Sequence, residues 1–396
     1  MRQEAPKLTS SNPIDPEFNP YPAWQDQMQT SGVVPLDWGL DKPVYMVLGW
    51  DLVEQVLRDA ETFSSKSNAV GIGQVMGPMI VGMDGEEHRR FRNIVAYAFR
   101  PSAMERTEEH VVKPTIHALI DQFEGDGRAD LVTQFTSRFP VRIIAAMLGA
   151  DEGDFDQIHH WTEEINLGPA HEQAFAASAA LREFLTPIVE DRKVNPRDDL
   201  VSDIVNAEIE GDRLDDEHIY GFLRLLFPAG AETTYRASGT MLAAVLSRPD
   251  VLDRVREDRS LITPLIEETL RWETAVTVVS RVTTREVELG GVTLPAGTDL
   301  LPSPGSGDRD ARHFADPDTW DPDRGMQPNL AFGTGRHQCL GMHLARAEMR
   351  MSLEAVIDRL PDVRLDPDSD PPNIIGFAFR GPDHLRVRFG KDEPKS

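Results

Sequence analysis

Residues Phe332 to Gly341 form a glycine-rich stretch around Cys339, the only cysteine of the 396-residue chain, and few folds have a use for such a stretch. One cysteine cannot form an internal disulfide, and no neighbouring ligands have the spacing of a zinc site. The glycines let the backbone pack against a flat group and let amide N–H groups point at the sulfur. A helical pattern begins near Leu340, and the positive end of that helix favours a thiolate. Taken alone, a single cysteine is more often a small buried apolar side chain.

The order of residues in this stretch is Phe332-Gly333-Thr334-Gly335-Arg336-His337-Gln338-Cys339-Leu340-Gly341. It resembles the haem-binding signature of the cytochrome P450 family, Phe-Gly-x-Gly-x-His-x-Cys-x-Gly, at every defined position. The resemblance implies that haem b is the cofactor, that the Cys339 thiolate is the axial ligand of its iron, and that Phe332 and Gly333 contact it. It also implies a mainly α fold with small β-sheets, in which the helices form a triangular prism around a buried haem.

Length and charge indicate the general class of protein. Length alone suggests two or three domains, but long helical patterns without an obvious linker favour one domain over residues 1–396. Within it we expect a large helical part and a smaller β-rich part, from about residues 30–65, 277–302 and 362–390. The formal net charge of −25 disfavours nucleic acid and anionic membranes as partners. Met1 to Asn19 has no apolar run long enough for a signal peptide or anchor, which within the family resemblance indicates the soluble bacterial type, in the cytoplasm. We also expect a monomer.

Alternating apolar residues predict several short strands. The predicted strands are residues 33–38, 44–48, 277–282, 286–289, 292–294 and 298–301. Gly290-Gly291 predicts a hairpin turn between two of them. Residues 64–82 are rich in Gly, Ser and Asn and predict a loop, although several of its side chains are too apolar for a purely solvated one. The family resemblance implies that this loop is a flap over a substrate pocket.

Four cationic side chains are candidates for holding the cofactor. A predicted helix over residues 84–99 carries His88 and Arg92 four residues apart, on one face. Such a pair is usually part of a solvated basic surface. The resemblance implies instead that both hold the haem propionates, because charge-assisted hydrogen bonds to carboxylates are strong. Arg281 lies in an apolar stretch and needs an anionic partner. The resemblance assigns a propionate to Arg281 and to His337 as well.

Residues 215–246 predict one long apolar helix with an irregular turn in its middle. Pro228 lacks an N–H group, and Gly230 destabilises a helix by about 1 kcal/mol relative to alanine. Thr233 can donate to the carbonyl of Ala229. We therefore expect the helix to kink or open at this turn. A tolerated kink beside a solvated glutamate is the simpler alternative.

The same turn reads Ala229-Gly230-Ala231-Glu232-Thr233-Thr234 and resembles the oxygen-activating segment of the family. The resemblance implies that Thr233 hydrogen-bonds dioxygen at the haem and that Glu232 relays protons from solvent. It also implies that the small residues Ala229 and Gly230 leave room above the iron.

Two further motifs concern the frame of the site. Glu268 and Arg271 are three residues apart and usually mark a surface pair, but the resemblance implies a core pair that braces the cysteine loop. The proline-rich run over residues 308–324 resembles the family's meander, and we use that name for it here. It departs from the family at Asp308, where asparagine is usual, and we expect only a local change of backbone there.

The expected activity follows from the resemblance. We expect a haem-thiolate monooxygenase that hydroxylates an unactivated C–H bond of a small hydrophobic molecule, such as a terpenoid, steroid, fatty acid or aromatic compound. Two predicted helices, residues 154–167 and 173–192, match the family's mobile lid, with Leu167 and Phe175 as weaker candidate contacts. The substrate contacts we expect are Val276, Val278, Phe227 and Phe377.

The electrons for this reaction have to come from a separate protein, because the sequence has no flavin-binding or iron–sulfur cysteine pattern. We expect a ferredoxin with its reductase. Arg336, Arg346 and Arg350 could form a cationic docking patch, or they could be ordinary helix-surface arginines. Two alternatives remain. A peroxide-driven relative would replace the Glu232-Thr233 pair, and a non-catalytic haem protein would not need it.

Overall fold

The computed structural model describes residues 19–36, 42–209 and 211–390. Nearly all of the polar segment Met1 to Asn19 and the end of the first predicted strand, residues 37–38, lie outside the described residues. The helices of the described part are α1 (Tyr21–Met28), α2 (Trp50–Arg58), α3 (Ser67–Val70), α4 (Gly73–Met76), α5 (Gly85–Ala98), α6 (Pro101–Thr107), α7 (Lys113–Ile120), α8 (Phe139–Met147), α9 (Phe155–Asn166), α10 (Glu172–Val194), α11 (Leu200–Val205), α12 (Asp216–Phe227), α13 (Thr233–Leu246), α14 (Pro249–Glu257), α15 (Ile262–Trp272), α16 (Pro304–Gly307) and α17 (Met342–Arg359).

The strands are short and form small sheets. They are β1 (Val33–Leu36), β2 (Val44–Val47), β3 (Phe63–Ser64), β4 (Arg128–Asp130), β5 (Arg281–Thr283), β6 (Val287–Leu289), β7 (Val292–Leu294), β8 (Asp299–Pro302), β9 (Arg364–Leu365), β10 (Ile374–Ile375), β11 (Gly381–Pro382) and β12 (Arg386–Arg388). The main sheet has the order β1-β2-β8-β5-β3, with β2 and β8 parallel and its other pairs antiparallel. Smaller sheets have the orders β4-β12-β9, β6-β7 and β10-β11. The expected mainly α architecture with small β-sheets is confirmed.

The β6-β7 hairpin turns at the predicted dipeptide. Gly290 and Gly291 have φ values of +55° and +77°, in the left-handed region that a type I′ turn requires at both central residues. Leu289 pairs with Val292 directly beside the turn.

The largest hydrophobic core surrounds α13. Most of its residues are buried, and α8, α15 and α17 pack around it. A helix covered on most sides carries few charged residues, and Arg236 is the only one between Thr233 and Leu246. Two helices, α10 and α17, are long, but no helix in residues 19–36, 42–209 and 211–390 is both long and apolar enough to cross a membrane.

The long helix predicted over residues 215–246 is present and opens in its middle. α12 ends at Phe227, residues Pro228–Glu232 form a single π-helical turn, and α13 begins at Thr233. Proline cannot donate a backbone hydrogen bond, so the helical bonding pattern shifts at this point. The predicted local opening is therefore confirmed.

The prediction of a loop over residues 64–82 is wrong. The segment contains α3, α4 and a 3₁₀ turn at Ile80–Gly82. Met76, Met79 and Ile80 are buried in the main core. Burial of these apolar side chains stabilises short helical turns that the glycines alone would disfavour.

The prediction of a strand over residues 277–282 is only partly correct. Strand pairing begins at Arg281, and the residues before it bond to two different segments. The Thr277 amide donates to the Ala378 carbonyl at 3.0 Å, whereas the Val279 amide donates to the Pro302 carbonyl at 3.0 Å. This stretch lies between the main sheet and a C-terminal turn, so it cannot form a regular ladder with either.

Candidate functional site

Cys339 lies in a tight loop between the meander and α17. The Gly333 amide donates to the Leu330 carbonyl at 2.8 Å, and the Cys339 amide donates to the Phe332 carbonyl at 2.9 Å. A 3₁₀ turn over Gly335–His337 completes the loop, and α17 begins three residues after the cysteine. Two short-range backbone bonds therefore hold the cysteine in place.

Glycine is required at two points of this loop. Gly333 and Gly335 have φ values of +65° and +75°, which other residues rarely adopt. A Cβ atom on Gly335 would lie 2.8 Å from the Leu57 carbonyl oxygen at the end of α2. Any side chain at this position would push the loop away from α2.

The surroundings of the Cys339 sulfur act on its charge in opposite directions. The residue is exposed by its accessible area, yet protein atoms crowd the sulfur, and this desolvation raises the pKa of the thiol. The Gly341 amide, Arg92 and Arg346 lower the same pKa. Desolvation is the larger effect, so the pKa of the free thiol is raised overall. The helix end alone would predict the opposite, a thiol that ionises easily. The three favourable groups stabilise negative charge once a metal replaces the thiol proton.

Two histidines meet beside this loop. The rings of His88 on α5 and His337 have centroids 4.1 Å apart. The Nε2 atoms of both rings are buried and have no hydrogen-bond partner in the described part of the chain. The nearest carboxylate is Asp84, whose Oδ1 lies 3.8 Å from the His337 Nε2 atom. Buried polar atoms without partners are rare and indicate a missing hydrogen-bonding group.

Arg281 and Arg92 complete the set of cations that the sequence predicts. Arg281 is 6% exposed, and its Nη1 atom donates to the Ser280 carbonyl at 2.7 Å. Arg92 is half-buried, and its Nη2 atom donates to the Gln338 carbonyl at 2.6 Å, which ties α5 directly to the cysteine loop. All four predicted residues therefore place side-chain N–H donors at the cysteine loop or in the buried region beside it.

The pKa values report how unfavourable positive charge is in this cluster. Burial, reinforced by Arg92, lowers the pKa of His88 to about 4. Burial, reinforced by His88, lowers the pKa of His337 to about 3, and burial lowers that of Arg281 to about 10. Positive charges that are buried close together destabilise one another, and an anion bound beside them offsets this destabilisation.

This set of residues fits a haem. No group of three or more His, Cys, Asp or Glu side chains in the described ranges could hold a bare metal ion, so a metal bound at Cys339 has to bring its other ligands with it. The two unpartnered imidazole nitrogens and the two arginines are donors suited to the pair of carboxylates that a haem carries.

The opened helical turn exposes small residues within a largely buried helix. Ala229 is exposed and Gly230 is half-buried, whereas Phe227 and Ala231 on either side are buried. The Thr233 hydroxyl donates to the Ala229 carbonyl at 2.8 Å, as predicted. A Cβ atom on Gly230 would lie 3.0 Å from the Ile144 Cδ1 atom, so this glycine also allows α8 to pack closely.

Glu232 is not a solvated side chain. Its carboxylate accepts a hydrogen bond from Arg236 at 2.7 Å and one from the Asn166 amide at 3.3 Å. Burial and the bond to Glu232 contribute to raising the pKa of Tyr235 to about 12. Sequence reasoning missed these partners. The i,i+4 spacing of Glu232 and Arg236 could have indicated the ion pair, but nothing local indicates Asn166 at the end of α9.

The Glu268–Arg271 pair is buried, not superficial. The Arg271 guanidinium binds the Glu268 carboxylate at 2.8 and 2.9 Å, and both side chains are at most 2% exposed. Arg271 also donates to three backbone carbonyls of the meander, those of Asp308, Pro317 and Thr319. The Glu268–Arg271 pair therefore contacts the meander directly, and it supports the cysteine loop only through the meander.

The four predicted substrate contacts lie in different surroundings. Val276 is half-buried and forms a β-bridge with Phe379, which is 44% exposed. Phe377 packs edge-on against Trp24 at 5.9 Å. Val278 is buried in the same cluster as Trp24, and Phe227 is fully buried in the main core. The structure therefore groups Val278 and Phe377, and it places Phe227 apart from them.

The proposed cationic patch loses much of its charge to local pairing. Arg346 binds Glu267 at 2.5 Å and lies over the Phe332 ring at 4.5 Å. Arg350 binds Glu108 at 3.0 Å and also pairs with Glu354. This pairing favours the interpretation as ordinary helix-surface arginines. The contact between Arg346 and Phe332 was not predicted, and it gives Arg346 a packing role at the cysteine loop.

Comparison with known proteins identifies the family of the chain. The family model for cytochrome P450 matches residues 140–384. The chain is 32% identical to Cytochrome P450 107B1 of Saccharopolyspora erythraea, over 86% of this chain and 82% of that protein. It is 34% identical to the methyl-branched lipid omega-hydroxylase of Mycobacterium tuberculosis, over 82% of this chain and 78% of that protein.

A solved structure extends the agreement to the fold. CYP109E1 from Bacillus megaterium, in complex with testosterone, matches with a TM-score of 0.85 at 30% identity, over 94% of this chain and 100% of that chain. The chain therefore belongs to the cytochrome P450 family of monooxygenases, oxidoreductases that bind the iron of haem b through a cysteine thiolate.

Proposed function

We propose that this protein hydroxylates an unactivated C–H bond of a small hydrophobic molecule, using O₂ and two electrons delivered by a ferredoxin and its reductase. The observation that carries the proposal is the pair of buried, unpartnered Nε2 atoms of His88 and His337 beside the Cys339 loop. Such a pair provides donors for carboxylates next to a soft metal ligand, which is the donor set that a haem needs.

Specific residues would hold the cofactor. Cys339 would bind the iron through its thiolate, and the Gly341 amide would stabilise the negative charge on its sulfur. The propionates would accept hydrogen bonds from His88, Arg92, Arg281 and His337, while Phe332 and Gly333 would contact the macrocycle. When bound, haem supplies an iron that activates O₂ and transfers one oxygen atom to the substrate.

The opened helical turn would handle protons. The Thr233 hydroxyl is held by the Ala229 carbonyl, which leaves its oxygen free to accept a further hydrogen bond. Glu232, one residue earlier, would pass protons from solvent toward this hydroxyl. The small side chains of Ala229 and Gly230 would keep the space beside Thr233 open.

The substrate would be apolar. Val276 and Phe377 would contact it, whereas Val278 and Phe227 are buried and would support the pocket wall from behind. Two relatives favour a lipid or a steroid among the candidate classes: one is named a methyl-branched lipid hydroxylase, and the other was solved with testosterone.

The electrons would come from a ferredoxin, because the single cysteine cannot build an iron–sulfur centre.

An optical titration tests the substrate class. The ferric protein is titrated with a steroid, a branched fatty acid, a terpenoid and a small aromatic compound, and the haem absorption is followed. A saturable spin-state shift with the steroid or the fatty acid, followed by a hydroxylated product in a ferredoxin-supported assay, is the expected result. A shift with only the aromatic compound would contradict the preference for a lipid or steroid.

Thr233→Ala is expected to uncouple electron use from product formation. The variant keeps its haem but loses the hydroxyl that positions protons, so product per reducing equivalent falls on the order of 10²-fold. The lost electrons appear as peroxide. Thr233→Ser, which keeps the hydroxyl, is the matched control and retains most of the coupling. Unchanged coupling in Thr233→Ala would show that this hydroxyl has no part in proton delivery.

A further inference from the structure

A series of hydrogen bonds, connected by short covalent segments of the chain, joins the buried Glu268–Arg271 pair to the cysteine loop. The Arg271 Nη1 atom donates to the backbone carbonyl of Asp308 at 2.9 Å. The side chain of Asp308 then accepts the Leu330 amide through Oδ1 at 2.7 Å. Both Asp308 and Leu330 are buried, at 0% and 2% exposure.

The path continues to Cys339 along the backbone. The Leu330 carbonyl accepts the amide of Gly333 at 2.8 Å, and the Phe332 carbonyl accepts the amide of Cys339 at 2.9 Å. Close packing reinforces the same link, because a Cβ atom on Gly307 would lie only 2.7 Å from the Leu330 Cδ1 atom. Asp308 is therefore the side chain that connects the meander to the start of the loop.

The second oxygen of this carboxyl group indicates its charge state. Asp308 Oδ2 is buried and has no hydrogen-bond partner in the described part of the chain. Arg271 is the nearby cation, but its guanidinium N–H groups are directed to Glu268 and to backbone carbonyls. A carboxylate in this position would be a buried charge without a direct partner, which is strongly unfavourable.

We propose that Asp308 is a positioning residue of the cysteine loop, whose uncharged carboxyl group transmits the Glu268–Arg271 brace to Leu330 and so to Cys339. An uncharged aspartic acid offers the same acceptor as asparagine, the residue that is usual in the family at this position. The departure from the family pattern thus keeps the hydrogen bond and adds a dependence on pH.

The charged groups on the surrounding elements do not offset this effect. They are Arg271 and its partner Glu268 on α15, and Arg309 and Asp310, which follow Asp308 in sequence. Among these, Arg271 lowers the pKa of Asp308, but burial raises it well above the ordinary value of 3.8. Asp310 instead binds Arg312 and the Trp50 amide.

The sign of the pH effect follows from this raised pKa. Between the unfolded and the folded pKa, the folded chain binds a proton that the unfolded chain has released. The contribution of Asp308 to the free energy of unfolding is therefore fully present below its pKa in the unfolded chain, near 4. This contribution is lost as the pH rises toward its pKa in the folded chain. Asparagine cannot ionise, so Asp308→Asn removes this loss.

Urea unfolding of the holoprotein at pH 5, 6 and 7 tests the proposal. The unfolding constant of the wild type, divided by that of Asp308→Asn, is expected to rise by up to about tenfold per pH unit. Asp310→Asn is the matched control: the pKa of Asp310 is lowered in the folded state, so this group is ionised in both states at pH 5 to 7 and the corresponding ratio should not change with pH. A constant ratio between the wild type and Asp308→Asn would overturn the proposal.

The absorption of the reduced carbonyl complex tests whether the cysteine loop responds. Asp308→Ala leaves the buried Leu330 amide without an acceptor, so a smaller fraction of the haem is expected to show the thiolate band. Asp308→Asn is expected to keep that band, and it remains informative if Asp308→Ala does not fold. Equal loss of the band in Asp308→Ala and Asp308→Asn would contradict the proposal that Asp308 acts through an uncharged carboxyl group. Absence of the band from the wild type would instead refute the assignment of Cys339, and the unfolding experiment does not depend on that assignment.

Discussion

Replacing Cys339 with alanine is expected to reduce hydroxylation to background and to remove the thiolate band of the reduced carbonyl complex. The chain has no other cysteine, and the described residues offer no alternative cluster of metal ligands. The loop backbone should keep its shape, because the bonds that hold it run between main-chain atoms of Leu330, Phe332, Gly333 and Cys339. The measurement is the absorption spectrum together with the haem content per protein.

Gln338→Ala is the matched control for this prediction. Gln338 is adjacent to the cysteine but contributes its backbone carbonyl, not its side chain, to the bond with Arg92. The variant should therefore keep both the band and the activity. Hydroxylation that persists in Cys339→Ala would contradict the assignment of Cys339 as the ligand of the haem iron, because the chain has no other cysteine.

Replacing Arg271 with methionine is expected to cause the largest loss of stability, about 3–5 kcal/mol. The substitution leaves the buried Glu268 carboxylate with Arg324 at 3.1 Å and the Asp321 amide at 2.8 Å, and it removes the donors to three carbonyls of the meander. Urea unfolding monitored by circular dichroism measures the loss. Where the methionine variant does not fold, Arg271→Lys keeps the charge and should show a smaller, measurable loss, because one ammonium group cannot reach all of these acceptors.

An exposed ion pair provides the comparison. Arg182 binds the Glu217 carboxylate at 2.8 and 2.5 Å, a geometry similar to that of the buried pair. Arg182→Met should change stability by less than about 1 kcal/mol, because water screens exposed pairs. Equal losses at the two sites would show that burial is not the source of the Arg271 effect.

Local patterns were sufficient for the features that depend on a few neighbouring residues. The cysteine loop follows from its glycines, and the opening at Pro228–Glu232 follows from proline and a threonine that bonds back to the helix. The β6-β7 hairpin follows from two adjacent glycines. In each case the signal and the structure it specifies lie within one turn of chain.

Other features depend on residues far apart in sequence and could not be predicted. Asn166 on α9, which donates a hydrogen bond to Glu232, lies 66 residues away in sequence. The helices in residues 64–82 form because the core covers their apolar side chains, and residues 277–280 lose strand pairing because they bond to two separate segments. The uncharged role of Asp308 depends on burial, which its sequence neighbours do not reveal.

The order of strands in the main sheet also determines when it can be completed during synthesis. β1 and β2 are made early, but Val44 of β2 pairs with Asp299 of β8, which leaves the ribosome only after most of the chain has been made. Until then one edge of β2 has no partner, and a free strand edge is a site for pairing with another chain. We expect refolding to be slow for the same reason, since pairing across so long a separation comes late. Aggregation of this protein should therefore depend on the interval before β8 arrives, and faster translation of the second half of the chain should reduce it.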